Sequence, residues 1–166
     1  EDLNATANQL RQAAEARRTR LLDAVESQTF YSEVAEAESW MSEKVPALSS
    51  SELGKDEDSV HLLQKKLKAL ELDIDNFQKT IRELGKLSQG LVKRGHFDSD
   101  NIQQQQQSIE RKYEELKRLS EQRRNALKES YELFAYFREC DDVAQWIKEK
   151  EAVAASDDYG TDLEHV

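Results

Sequence analysis

Turn-making residues are scarce in this chain: five glycines and a single proline stand among 166 residues, where average usage would give roughly 12% for the two together. A sandwich, a barrel or a doubly wound sheet reverses the chain too often to be built with so few, so these classes drop out first. The lone Cys140 excludes an internal disulfide framework and mildly favours a reducing compartment. No apolar run approaches the roughly 18 residues that a bilayer crossing needs, so no membrane insertion is expected. The first ten residues lack the charged and apolar regions of a signal peptide and an initiator Met, so they read as internal to a longer chain. Positive charge is also short, with 24 Lys and Arg against 34 Asp and Glu and a net charge of −10. Nucleic acid is therefore not an expected partner, because its binding needs clustered Lys and Arg. The acidity favours solubility instead.

What is abundant is Ala, Leu, Glu, Lys, Gln and Arg, the composition of long helices with a narrow apolar stripe. An internal repeat organises them. Trp40 in FYSEVAEAESWMSEK and Trp146 in YFRECDDVAQWIKEK stand 106 residues apart. The same offset pairs Glu43-Lys44 with Glu149-Lys150, Gly54 with Gly160, Asp56 with Asp162, Val60 with Val166, Arg17-Arg18 with Arg123-Arg124, Leu10 with Leu116 and Leu21 with Leu127. One register thus covers the whole overlap.

Within the period, Val60, Leu63, Leu67, Leu70, Ile74, Phe77, Ile81 and Leu84 step by three and four, a heptad seam broken at Ser88 and resumed at Leu91. The stretch Arg94 to Ser99 should end that helix, and Asp98 or Ser99 can cap the next. The next stripe runs Ile102, Ile109, Tyr113, Leu116, Leu127, Phe134 and Phe137, with no Gly or Pro between His96 and Tyr159. A helix from about Ile102 to about Ala154 would be about 80 Å long. Pro46, the serines at 49–51 and Gly54 are expected to end the first helix. The expected fold is all-α, a left-handed three-helix coiled-coil bundle whose helices run continuously into the adjacent repeats. Residues 1–27 would be the end of helix C of a preceding repeat. Residues 28–133 would be one complete repeat, with helices at about 28 to 46, 57 to 92 and 99 to 133. Residues 134–166 would be helix A and the start of helix B of a following repeat.

The period, the Trp near the middle of the first helix, the loop Ser50-Ser51-Glu52-Leu53-Gly54-Lys55-Asp56 and the break Gly95-His96-Phe97 together resemble spectrin repeats. The resemblance covers all 166 residues and ranks spectrin rods ahead of those of α-actinin and dystrophin type. It places Trp40 and Trp146 at the helix A tryptophan and Gly95-His96 with Ile102 at the B to C junction. Tyr113 stands where many members carry Trp, a departure expected to loosen packing slightly. The expected structural core is Trp40, Trp146, Leu63, Leu67, Leu70, Ile74, Ile109, Tyr113 and Leu116. The expected inter-repeat linker is Phe30, Tyr31, Phe134, Tyr136 and Phe137, where neighbouring bundles can pack on aromatic rings. The resemblance further implies a semi-rigid elastic spacer and protein-binding scaffold of the actin-linked membrane skeleton. It would lie in the cytoplasm at the inner face of the membrane. Other cytoskeletal proteins, a companion rod chain and, through the parent protein, ankyrin or actin would be its partners.

Catalysis finds no support in the residues. His61, His96 and His165 stand far apart, beside neither Cys nor a second His, so no zinc site is expected. Asp98-Ser99-Asp100-Asn101 lacks the Gly and distal Glu of a calcium loop. Gly90 to Gly95 has phosphate-loop spacing, but His96 and Phe97 replace the needed Lys and Ser/Thr. No cofactor is expected. The tract Gln103 to Gln107 reads as exposed helix, and the clusters at Lys65-Lys66-Lys68 and Arg17-Arg18-Arg20 as solvated faces in an acidic chain. Two alternatives remain: a dedicated docking module for a membrane adaptor such as ankyrin, with Tyr131 and Leu119 as off-seam candidates, and a coiled-coil tether, opposed by the Gly and Ser breaks.

Overall fold

The computed structural model describes residues 2–156. The expected start of a further helix and Gly160, Asp162, His165 and Val166 lie outside these residues. Three helices make up the described chain: α1 (Asp2–Leu48), α2 (Glu57–Lys93) and α3 (Ser99–Ala154). Contacts group them into two units. One holds the chain up to Ser51 together with Leu67–Arg123, and the other holds Glu52–Lys66 with the chain from Arg124 on.

In α1 the buried face begins at Ser27 and runs through Phe30, Val34, Ala37 and Met41 in alternating steps of three and four, then to Leu48 one heptad on, as a coiled-coil seam requires. Trp40 stands one residue off this seam and is half-buried. Before Ser27 the helix continues, but Leu3, Leu10, Leu21, Leu22 and Val25 are exposed. Helix α1 ends at Leu48, between Pro46 and the serines at 49–51, as expected. Pro46 itself sits inside the last turn, where the Ser49 N–H donates to the Val45 carbonyl at 2.9 Å. Pro46 lacks the N–H that would donate to the Ser42 carbonyl, so the last turn is weakened and the helix stops two residues on.

The seam of α2 is continuous in space. Val60, Leu67, Ile74, Ile81 and Ser88 recur every seven residues and all are buried, so Ser88 interrupts the apolar pattern without leaving the buried face. The companion line is shallower, with Leu63, Leu70 and Phe77 half-buried and only Leu84 and Leu91 fully covered. Each fully buried Leu or Ile contributes about 1.5–3 kcal/mol.

Both ends of α2 are capped by local chemistry. At its start the Asp56 carboxylate accepts from the Ser59 N–H at 2.8 Å, and the Ser59 Oγ accepts from the Asp56 N–H at 3.1 Å. This reciprocal pair is a capping box. Gly54 precedes it with φ of +81°, and a Cβ there would stand 2.7 Å from the Val60 Cγ2 and 2.9 Å from the Val60 nitrogen. Only glycine supplies both that backbone angle and that clearance. At the far end Gly95 has φ of +70°, its N–H donates to the Val92 carbonyl at 3.0 Å, and the His96 N–H donates to Leu91 at 3.2 Å. That pair of bonds is a Schellman motif.

Helix α3 is a single element of 56 residues, about 84 Å long at 1.5 Å per residue. Its buried line is Ile102, Gln106, Ile109, Tyr113, Leu116, Ser120, Arg123 and Leu127, an unbroken alternation of four and three. Three of these are polar, and Gln106 corrects the reading of the glutamine tract as wholly exposed. Tyr113 is 3% exposed, and its hydroxyl donates to the Ile74 carbonyl at 2.9 Å. Tyrosine at this position therefore leaves no buried donor unpaired.

Candidate functional site

Two places where a loop or turn fastens onto a long helix stand out, one in each unit. The first lies in the unit that holds α1. The Schellman turn after α2 swings His96 back against α1 where its buried seam begins. The ring is 7% exposed. Its Nε2 lies 2.8 Å from the Asp23 carbonyl, and its Nδ1 accepts the Asp98 N–H at 3.0 Å. These partners assign the proton to Nε2, the neutral tautomer that donates at one nitrogen and accepts at the other.

Asp98 extends the contact. One carboxylate oxygen accepts the Tyr31 hydroxyl at 2.5 Å, and the other accepts the Asn101 amide at 2.6 Å. Those two bonds hold the Asp98 carboxyl below the usual carboxylate range. Burial, followed by the bond to Asp98, pushes the Tyr31 phenol up to about 12. Arg94 pairs both guanidinium nitrogens with the Glu26 carboxylate, an exposed pair of modest value. His96, Asp98 and Arg94 thus grip Asp23, Tyr31 and Glu26, and a turn of five residues fastens two turns of α1.

The second place lies wholly in the other unit. The loop before α2 packs on α3: the Ser130 hydroxyl donates to the Leu53 carbonyl at 2.9 Å, and Arg138 stands 3.4 Å from Glu57. Beside them lies a cleft of ≈420 Å³ lined by Lys55, Asp58, Phe134, Phe137 and Asp141 among others. The other Glu57 carboxylate oxygen is buried without a partner.

The expected site residues fall unevenly on this framework. Leu67, Ile74, Ile109, Tyr113 and Leu116 are buried, whereas Leu63, Leu70 and Trp40 are half-buried. Trp146 is 58% exposed, and Lys150 stands over its ring at 5.9 Å. Phe30 is fully buried, since position 30 falls on the α1 seam. Tyr31 is tied to the turn, Phe134 is half-buried, and Tyr136 and Phe137 are mostly exposed, 6.1 Å apart.

Residues absent from the sequence reading are the polar members of the seam. Arg123 donates to the Ser50 carbonyl and Ser120 to Glu71 at 3.1 Å. Arg123 was legible only as the periodic partner of Arg17. Among the described residues no cluster of His, Cys, Asp and Glu could hold a metal, and no helix is long and apolar enough to cross a membrane.

The profile of the spectrin repeat matches residues 25–129 and again 131–166. The chain belongs to the spectrin repeat family. Over 157 residues it is 40% identical to "Spectrin beta chain, non-erythrocytic 4" of Homo sapiens and 38% identical to "Spectrin beta chain, erythrocytic" of Mus musculus, and over 165 residues it is 36% identical to "Spectrin beta chain" of Drosophila melanogaster. The matches take in 95%, 95% and 99% of this chain but 6%, 7% and 7% of those proteins. Membership makes the chain a structural segment of spectrin-repeat type.

Proposed function

We propose that the chain is a non-catalytic spacer of an elongated cytoskeletal rod, semi-rigid and elastic, whose long helices also serve as a protein-binding scaffold in the actin-linked membrane skeleton. The observation that carries this reading is the continuity of α3 from Ser99 to Ala154. Its first part is buried in a bundle seam, and its last part carries the apolar residues Val143, Trp146, Ile147 and Val153 exposed. A helix that belongs to one bundle and then offers a fresh apolar face is the way a repeat array hands load from one unit to the next. On this reading residues 1–27 end a preceding helix C, 28–133 form one repeat and 134–166 open the following one. The onset of burial at Ser27 and the exposure beyond Phe134 support that division. Trp146 then becomes a core residue once the rest of its bundle is present, and Tyr31, Phe134, Tyr136 and Phe137 set the stiffness of the joins.

The parent chain would act in the cytoplasm at the inner face of the membrane, beside a companion rod chain and in reach of actin or ankyrin. Pull-down with this fragment, comparing ankyrin, filamentous actin and a companion spectrin chain, tests the scaffold role. Force spectroscopy on a tandem of the repeats tests the spacer. Stepwise unfolding and refolding is the expected trace, and a single irreversible rupture would refute an elastic role.

A further inference from the structure

Within the first unit, α1 and α2 leave between them a cleft of ≈370 Å³. Its floor is apolar. Trp40 and Phe77 stack with centroids 3.9 Å apart and planes 9° from parallel, and Leu84 is buried beside them. Its rim is acidic, with Glu33, Glu36 and Glu83 all exposed, and no Lys or Arg lines it. Lys79 stands 3.9 Å from Glu83, in an exposed pair that water largely screens. Three carboxylates around one concavity repel one another, and an incoming cation relieves that repulsion. The indole already accepts one cation, because Lys44 lies 5.1 Å from the Trp40 ring centre. Aromatic surface and carboxylates continue along the cleft, and no Lys or Arg is among the residues that line it.

We propose that this cleft docks a basic amphipathic segment of a partner protein. The partner's Arg or Lys side chains would lie among Glu33, Glu36 and Glu83, and its apolar side chains would cover Trp40 and Phe77. A small free cation would leave the aromatic pair wet, and an anionic lipid surface or nucleic acid would meet repulsion, so the combined chemistry selects a polypeptide. The walls are two packed helices, so the site is preformed, which limits the ordering cost of binding. Aromatic and Arg contacts are also the types that carry most interface energy. This inference concerns a binding surface and does not rest on the spacer reading.

The test uses the whole chain with Trp146→Phe, so that Trp40 is the only indole. The probe is a Leu/Arg peptide of about 18 residues patterned as an amphipathic helix, long enough to be helical. The same pattern made from Leu and Glu is the control peptide. The expected result is a saturable change in Trp40 emission with the Leu/Arg peptide alone, and amide shifts confined to residues 33–40 and 77–84. Combined Glu33→Gln, Glu36→Gln and Glu83→Gln should weaken binding about tenfold or more, because charge complementarity is lost at the site. The charge-matched set Glu139→Gln, Asp142→Asn and Glu151→Gln should change it less than about twofold, because none of these residues lines the cleft. All variants are at exposed positions, and circular dichroism confirms that they fold. Equal weakening by both sets, shifts spread over every acidic face, or no Trp40 response would overturn the proposal.

Discussion

Gly54 and Gly90 carry the same side chain into opposite situations. At Gly54 a methyl group would strike the Val60 backbone and require an L-residue at φ of +81°, so Gly54→Ala should cost about 1–3 kcal/mol. At Gly90 a built Cβ meets nothing within 4 Å, inside a helix, so Gly90→Ala should stabilise by about 0.5–1 kcal/mol. Urea midpoints of the two variants should move in opposite directions. Tyr31 and Asp98 make a second residue-level forecast, from linkage. An unfolded phenol ionises near 10.0, whereas Tyr31 in the folded chain keeps its proton to about 12. The folded state therefore binds more protons between those values, and stability falls as pH rises through that window. Asp98 is depressed, so its contribution is present above the ordinary carboxylate value and is lost as pH falls through the folded one. Tyr31→Phe should flatten the alkaline loss and reduce the acid loss, read from urea midpoints near pH 3, 7 and 11. An alkaline limb as steep as in the parent chain would show that the phenol is not held. Gly54 was legible in the sequence as part of a motif, and its close approach to Val60 explains why. Gln106, Ser120 and Arg123 were not, because an apolar heptad search passes over polar residues and their partners, such as Ser50 and Glu71, stand far away in sequence.

At the scale of the element, the helices were readable because nothing interrupts them. Between Ser99 and Ala154 there is no Gly or Pro, and the structure runs one helix through the whole span. The end of α1 at Leu48 has a local cause: Pro46 removes the bond to the Ser42 carbonyl in the turn before it, and the helix stops two residues later. The turn at Arg94 to Asp98 was legible as a break but not as a grip, because the Asp23 carbonyl that His96 meets is a backbone atom that no side-chain pattern announces. The contrast between proline positions predicts the behaviour of the join. Ala135 lies deep inside α3, so Ala135→Pro removes an internal hydrogen bond and clashes with the Tyr131 carbonyl, costing about 3 kcal/mol or more. The expected outcome is a new protease-sensitive stretch near Tyr131 to Cys140 and faster amide exchange there, with the cooperative melting of the α1-containing unit retained. Unchanged cleavage and exchange near position 135 would mean that the join is not held as helix.

At the scale of the whole molecule, two apolar stripes stand without covering helices among the described residues. One is Leu3, Leu10, Leu21 and Val25 on α1, and the other is Val143, Trp146, Ile147 and Val153 on α3. On the proposed division of the chain the first would have helix C character and the second helix A character, so they would be two of the three parts of a bundle. Burying such side chains contributes about 1.5–3 kcal/mol each when complete, while bringing two molecules together costs an estimated 4–15 kcal/mol or more. With the third helix missing, each side chain is covered only in part, so only a small surplus over that cost remains. The chain should therefore associate weakly, the α1 arm of one copy against the α3 arm of another, with a dissociation constant of roughly 10 µM to 1 mM, or about 4–7 kcal/mol. Sedimentation velocity over a wide concentration range should show a rising average mass, and a variant lacking residues 1–28 should abolish the rise. In a Trp40→Phe background the emission of Trp146 should shift to the blue as association proceeds. If both chains stay monomeric and Trp146 keeps the emission of indole in water throughout, the two stripes do not recognise each other and the arms simply remain exposed.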